Sequence, residues 1–208
     1  MKKLAISILL MAGAAFGQQW EFGGIGGGGF LNTVNATGAA GAATAGFNTG
    51  LAAGAFLGQN LYKHLSGELR YAYLQSDLSL KSGGSSASFA GVSHVVHYDL
   101  ILHTNRRSRT QLFVAVGGGM KIFRGTGAEE AYQPLSQFGY FTKTQALKPM
   151  GDVGAGVRFA VSRRVFMRAE FRDYITMFPT AIVTPAPGVK YGTLLQELVP
   201  MVGISYEF

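Results

Sequence analysis

The sequence of 208 residues contains no cysteine and few charged residues, and each absence excludes a class of protein. Without cysteine there is no disulfide bond and no thiolate metal site. Only 14% of the residues are charged, against about a quarter in an average soluble domain. After residue 17 there is also no apolar run of the roughly 18 residues that mark a membrane-spanning helix. The composition therefore disfavours both an ordinary soluble domain and a helical membrane protein.

The N-terminus has the composition of a secretory signal peptide. Lys2 and Lys3 precede an apolar run over residues 4–16, and Ala15-Phe16-Gly17 supplies a small-x-small cleavage site. The run is about 13 residues, shorter than the ~20 that a membrane-spanning helix needs. We therefore predict that residues 1–17 are a signal peptide and that residues 18–208 form one domain; the alternative is a buried N-terminal helix.

Charge excess does not predict a nucleic-acid partner. The formal net charge is +7, and removal of Lys2 and Lys3 with the signal peptide leaves +5 (7 − 2). The remaining basic residues are scattered along the chain rather than clustered. We expect an exported protein that does not bind nucleic acid.

The last stretch of the chain alternates between two different faces. One parity is apolar or aromatic, namely Val202, Ile204, Tyr206 and Phe208. The other parity is small, polar or mixed, namely Met201, Gly203, Ser205 and Glu207. A period of two residues is typical of a β-strand whose two sides meet different surroundings.

Similar alternation predicts eight strands, and 30 glycines with 12% aromatic residues suit such a chain. The predicted strands are 20–32, 44–59, 65–80, 87–103, 110–124, 147–161, 165–177 and 193–208. They run to roughly 12–17 residues, whereas soluble strands usually have about 5–6. Long connections at 33–43, 81–86, 125–146 and 178–192 alternate with short basic turns at 60–64, 104–109 and 162–164. Short turns on one side and long loops on the other are typical of transmembrane barrels.

The charged residues of these strands fall on the face opposite the large apolar side chains. This predicted lumen charge network is Glu68, Arg70, Asp99, Lys121, Asp152, Arg158, Arg168, Glu170 and Arg172. Turning one Arg or Lys toward mid-membrane lipid would cost about 2–4 kcal/mol, so we expect these charges inside and the apolar rows outside. The alternative is a secreted β-sandwich or lipocalin-like barrel with the faces reversed. Alternation fits both, whereas strand length, the signal peptide and the aromatic C-terminus favour the membrane.

This predicted arrangement of strands, short turns and long loops resembles the small eight-stranded outer-membrane β-barrels of the surface-antigen and protein-A transmembrane-domain kind. The resemblance covers nearly the whole mature chain as an architecture, and only Tyr206 and Phe208 match a motif. It implies an all-β, eight-stranded antiparallel up-and-down transmembrane barrel in the cell outer membrane, in contact with outer-membrane lipids. It also implies that Tyr206 and Phe208 form the assembly signal that the barrel-assembly machinery recognises.

The candidate reactive residues do not form a catalytic or metal-binding pattern. His97 and Asp99 share a face, but His103 lies about 20 Å from His97 along the strand at ~3.3 Å per residue, too far to share one ion. Barrel enzymes resembling lipid A deacylases pair His with Ser two positions away, whereas here Asp99 takes that place and Ser93 lies four residues before His97. The glycine run 24–29 matches G-x-G-x-x-G formally, but no βαβ unit surrounds it. We predict no catalytic residue, cofactor or metal.

The sequence therefore predicts a structural or surface-interaction barrel whose narrow interior is filled by side chains. One alternative is a narrow channel for small solutes, which the inner arginines would make selective for anions. A second alternative is a lipid-modifying enzyme. The aromatic loop 125–146 is predicted to be external, where it could bind an extracellular ligand or pack back over the barrel mouth.

Overall fold

The computed structural model describes residues 19–105 and 108–208. The predicted signal peptide, and Arg106 and Arg107 of a predicted turn, lie outside the described residues. No helix in the described ranges is long and apolar enough to cross a membrane.

Fifteen β-strands make up the regular structure of the described residues. In chain order they are β1 Trp20–Leu31, β2 Val34–Gly38, β3 Gly41–Phe47, β4 Gly50–Tyr62, β5 Leu65–Gln75, β6 Leu78–Ser82, β7 Ser85–Phe89, β8 Gly91–His103, β9 Thr110–Gly125, β10 Gly139–Phe141, β11 Gln145–Ala160, β12 Val165–Met177, β13 Val183–Pro185, β14 Lys190–Tyr191 and β15 Leu194–Glu207.

Eight of these strands close into an antiparallel barrel in the order β1-β15-β12-β11-β9-β8-β5-β4. Each is paired with the barrel strands before and after it in the sequence, so the topology is up-and-down. The first and last strands close the ring, with Phe22 opposite Tyr206. Closure gives every barrel strand a partner on both sides, which is the condition for spanning lipid with strands. The predicted eight-stranded barrel is confirmed.

The long connections are only partly irregular, which corrects the prediction that they are loops. On the side away from the short turns, they form a five-stranded sheet in the order β14-β2-β3-β6-β7 and a two-stranded sheet of β10 and β13. We call this folded cap, residues 32–49, 76–90, 126–144 and 178–193, the head. The predicted loop 33–43 is the β2–β3 hairpin, with Val34 opposite Ala45. Its alternating residues are mostly Ala, Thr and Gly, whose pattern is too weak in hydrophobicity to predict strands.

Three predicted strands are each divided between the barrel and the head. The predicted strand 44–59 is interrupted between β3 and β4, 65–80 between β5 and β6, and 87–103 between β7 and β8. Asp77 joins all three interruptions, because its side chain accepts a hydrogen bond from the Gly91 N–H (3.1 Å) and its carbonyl accepts one from the Asn48 N–H (2.7 Å). Hydrophobic alternation continues through this corner, so the sequence pattern does not indicate that the chain turns here.

The outer surface of the barrel is an apolar belt. Its exposed side chains include Phe22, Leu51, Leu69, Tyr71, Val96, Tyr98, Leu100, Leu102, Leu112, Val114, Val116, Val153, Met167, Phe171, Val202 and Ile204. Aliphatic rows therefore face outward, and ionised side chains face the lumen. The soluble barrel with reversed faces is excluded by this arrangement.

The lumen as candidate functional site

Inward glycines make room for the large charged side chains of the lumen. A β-carbon on Gly117 would overlap the Asp99 carboxylate, and one on Gly154 would overlap the Arg172 side chain. Both glycines lie on inward positions of neighbouring strands, β9 and β11. The narrow barrel can therefore hold several arginines and carboxylates at one level, and this explains the glycines that alternate with charged residues in the sequence.

Four residues tie opposite walls of the barrel together. Glu68 and Arg70 lie on β5, and Arg168 and Glu170 lie on β12, with three strands between β5 and β12 in either direction. Arg168 donates to Glu68 (2.7 Å) and to Glu170 (2.8 Å). Arg70 donates to Glu68 (2.5 Å) and bonds Glu170 through two nitrogens. We call this arrangement the ion-pair ring; it spans the lumen and all four side chains are buried.

Arg172 forms a second charged layer next to the ring. Its Nη1 donates to Asp99 on β8 (2.9 Å) and to Asp152 on β11 (2.5 Å). The Asp99 carboxylate also lies 2.7 Å from Nδ1 of His97. One guanidinium thus holds two carboxylates from different strands, and the three buried charges are paired as burial requires.

The remaining two predicted charges pair with carboxylates that the sequence analysis did not identify. Arg158, near the short-turn end, donates to Glu21 on β1 (3.2 Å) and Glu207 on β15 (2.7 Å), and its guanidinium lies 3.4 Å from the centroid of the Phe166 ring. Lys121, nearer the head, bonds Glu197 on β15. Alternation assigns Glu21, Glu197 and Glu207 to one side of their strands. It does not identify the residue on another strand with which each of them pairs.

Beneath the ion-pair ring, the short-turn end of the lumen opens into a small recess of about 40 Å³. Polar side chains line it, including Glu21, Gln59, Ser66 and Gln111, and the ring residues Glu68 and Arg168 form its inner end. Arg158 and Arg168 are both paired with carboxylates, so the positive charges that line the recess are compensated.

Above the charged layers, the head seals the lumen with an apolar core. Phe47 stacks on Phe123 at 5.4 Å between ring centroids, and Phe89 stacks on Phe141 at 5.8 Å. Other buried members of this core are Leu78, Leu80, Phe138, Phe178, Ile182, Val183 and Leu195. Phe123 belongs to barrel strand β9, so the head core continues into the barrel mouth.

The loop 125–146 combines the two arrangements that the sequence left open. Phe138 and Phe141 are buried in the head core, so part of the loop packs over the mouth. Tyr132 and Tyr140 are exposed, by 79% and 43%, so another part faces the surroundings.

The aromatic pair of the last strand lies on the outer surface. The rings of Tyr206 and Phe208 stack at 6.4 Å between centroids, and Arg164 donates a hydrogen bond to the Tyr206 hydroxyl (3.0 Å). Asp173 is an exception to the separation of charge from lipid: it shares its outward parity with Phe171 and accepts a hydrogen bond from Gln196 (3.3 Å).

The four histidines lie in three different places. His97 is in the lumen and His94 on the outer surface, whereas His64 and His103 lie together at the short-turn end, 6.4 Å apart between ring centroids. Ligand atoms of His97, Asp99 and Asp152 lie within 4.8 Å of one another, but Arg172 bonds both carboxylates and occupies the place of a cation. In the described part of the chain no serine, threonine or cysteine is hydrogen-bonded to His97. His103, as expected, does not join this group; its Nε2 lies 3.0 Å from the Ser66 hydroxyl.

A closed barrel with an apolar belt outside and ionised side chains inside defines the class: the chain is an integral outer-membrane β-barrel protein. Among solved structures it is similar to Neisserial surface protein A, NspA, with a TM-score of 0.53 and 11% identity over 92% of this chain and 97% of that one.

Two further solved barrels match less well. The N-terminal barrel of Pseudomonas aeruginosa OprF gives a TM-score of 0.48 and 12% identity over 91% and 97% of the two chains. Yersinia pestis Ail gives 0.44 and 10% over 91% and 99%. No protein-family model and no curated protein matches the sequence. The likeness to NspA is a likeness of fold.

Proposed function

We propose that the protein is a non-catalytic outer-membrane barrel that presents a rigid head at the cell surface and does not conduct solutes. The observation that carries this proposal is the double closure of the lumen. The ion-pair ring ties β5 to β12 across the barrel, and the apolar head core covers the mouth. A solute would have to separate several buried ion pairs and then cross a packed aromatic core.

The enzyme alternative lacks support from the buried site. His97 has a carboxylate partner in Asp99, but a barrel enzyme that modifies lipid needs its nucleophile and base on the lipid-facing surface, and His97 is only 2% exposed. His94, on the outer surface, bonds the Tyr71 hydroxyl (2.9 Å) rather than a serine and carboxylate. The residues therefore favour a role without chemistry.

The proposed partners follow from the three surfaces of the molecule. The apolar belt contacts outer-membrane lipids. The exposed Tyr206 and Phe208 suit recognition of the last strand by the barrel-assembly machinery. The head carries the exposed Tyr132 and Tyr140 outward, and aromatic side chains on a rigid support are favourable contact residues for an extracellular ligand.

Planar-bilayer recording tests the closed lumen. We expect the full-length protein, inserted from detergent, to give no discrete conductance steps. Insertion is checked in matching proteoliposomes by gel migration with and without boiling, since folded barrels shift on heating. Reproducible unitary steps from verified, inserted protein would contradict the proposal and favour the narrow channel.

A further inference from the structure

The head contains an unprotected strand edge. Strand β7 is the last strand of the five-stranded sheet, and its sequence Ser-Ser-Ala-Ser-Phe has neither proline nor charge. Edge strands in natural proteins are usually protected by charged residues, proline or shortening. The opposite edge follows that rule, because β14 has only two residues and one of them is Lys190.

The hairpin geometry determines which backbone groups point away from the sheet at this edge. Gly83 and Gly84 have φ of 54° and 83°, which is a two-residue turn with both residues left-handed. Such a turn makes Ser82–Ser85 a hydrogen-bonded pair, and hydrogen-bonded pairs then alternate along β6 and β7. The N–H and C=O groups of Ser86 and Ser88 therefore point to the free side.

A groove of about 260 Å³ runs along that free side. Its floor includes the stacked rings of Phe89 and Phe141. Its far wall is formed by residues 128–134, which Gln133 holds in place: the Gln133 amide donates to the Phe141 carbonyl (2.9 Å) and accepts from the Phe141 N–H (2.8 Å). The groove thus combines a line of free main-chain groups with an apolar floor and a fixed opposite wall.

The charge of the groove restricts its occupant. Glu130 is the charged residue among those lining it, and no Lys or Arg lines it in the described part of the chain. An extended polypeptide could add to β7 as a strand, place an apolar side chain on the Phe89–Phe141 floor and bring a basic side chain to Glu130. We propose that this groove binds an extended, basic-and-apolar peptide segment of an external protein by β-strand addition.

This inference rests on the proposed surface-interaction role and names its partner class. The test is selection of a random library of phage-displayed dodecapeptides on the full-length protein in lipid nanodiscs. Each selected peptide is then synthesised and its affinity measured by fluorescence anisotropy. Ser86→Pro removes one free-edge N–H without touching the β6 ladder, and Ser86→Thr is the matched control that keeps it. Glu130→Lys reverses the charge of the groove.

We expect selected peptides to alternate apolar and basic residues, to bind Ser86→Thr like the wild type, and to bind Ser86→Pro about tenfold more weakly. Glu130→Lys should weaken the same peptides. All variants must keep heat-modifiable gel migration. Failure to select any peptide, or equal binding by Ser86→Pro, would overturn the inference. Self-association that Ser86→Pro abolishes, without peptide binding, would overturn it in favour of a second copy of this chain. None of these outcomes affects the bilayer recordings, which test the closed lumen separately.

Discussion

Arg172 neutralises two buried carboxylates of the lumen. It is fully buried between Asp99 and Asp152, and these two carboxylates would repel each other without it. Removing one partner from a buried ionic group leaves uncompensated charge, which costs about 3–5 kcal/mol.

Arg172→Met is therefore expected to lower the unfolding free energy by about 3–5 kcal/mol. Urea titration of the protein in lipid vesicles, read by gel migration, measures this loss. Arg163→Met, in an exposed short turn, is the matched control and should change stability by about 0.5 kcal/mol or less. Equal stability of the two variants would show that Arg172 is not the centre of the charged layer.

Two glycines on β11 give a sharper comparison, because one faces the lumen and the other faces lipid. A β-carbon at Gly154 would overlap Arg172 and the Phe171 carbonyl, whereas one at Gly151 would meet nothing within 4 Å. Gly154→Ala should destabilise by about 1–3 kcal/mol through overpacking. Gly151→Ala should be neutral or stabilising by about 0.4–1 kcal/mol. The same urea titration distinguishes them, and the reverse order would contradict the assigned faces.

At the scale of residues, the sequence predicted faces but not partners. Period-two alternation depends only on neighbouring positions, so it can assign Arg158 to a face of its strand. Its partner Glu21 is 137 positions away, and only the barrel order brings β1 and β11 within reach. Asp173 was not assigned to a face, although its parity matches the outward apolar row of β12; its partner Gln196 lies on another strand.

At the scale of elements, the head is a folded unit with its own aromatic core, and Phe123 connects that core to the barrel. Its ring is fully buried and stacks on Phe47. Truncating a buried phenylalanine costs about 3–5 kcal/mol. That loss should fall mainly on the head, because the barrel ladder on both sides of β9 stays intact.

Phe123→Ala is expected to make Lys81 and Lys190 in the head much more sensitive to trypsin while the barrel stays heat-modifiable. Limited proteolysis in vesicles followed by mass spectrometry measures the cleavage. Tyr132→Ala, on an exposed part of the head, is the control and should cleave like the wild type. Loss of heat-modifiable migration in Phe123→Ala would mean that head and barrel do not unfold separately.

The barrel strands and the head strands differ in how clearly their sequences show them. All eight barrel strands were predicted, because each combines a long alternating run with turn residues at its ends. The head strands were not, because β2 and β3 consist mostly of small residues and because Asp77 turns the chain without breaking the alternation. In strands of glycine and alanine the two faces differ little in hydrophobicity, so the alternation is weak. A corner held by one residue does not interrupt the alternation and therefore cannot be located from it.

At the scale of the whole molecule, the same apolar rows that would be a core in a soluble barrel form the outer surface. The strands have 11–16 residues, enough for the roughly 9–11 that a tilted strand needs to cross the hydrocarbon. The charges are collected inside, where they pair across the barrel. This arrangement of faces requires that lipid, and not water, surrounds the belt.

Site-directed spin labelling measures this most directly, because the natural chain has no cysteine to remove. A label at Val116→Cys, in the middle of the belt on β9, is compared with one at Ser86→Cys on the head, both in vesicles. The account predicts that Val116→Cys collides readily with oxygen and rarely with a water-soluble nickel chelate, and that Ser86→Cys does the reverse. Equal access of the nickel chelate to both labels would contradict a membrane-spanning barrel.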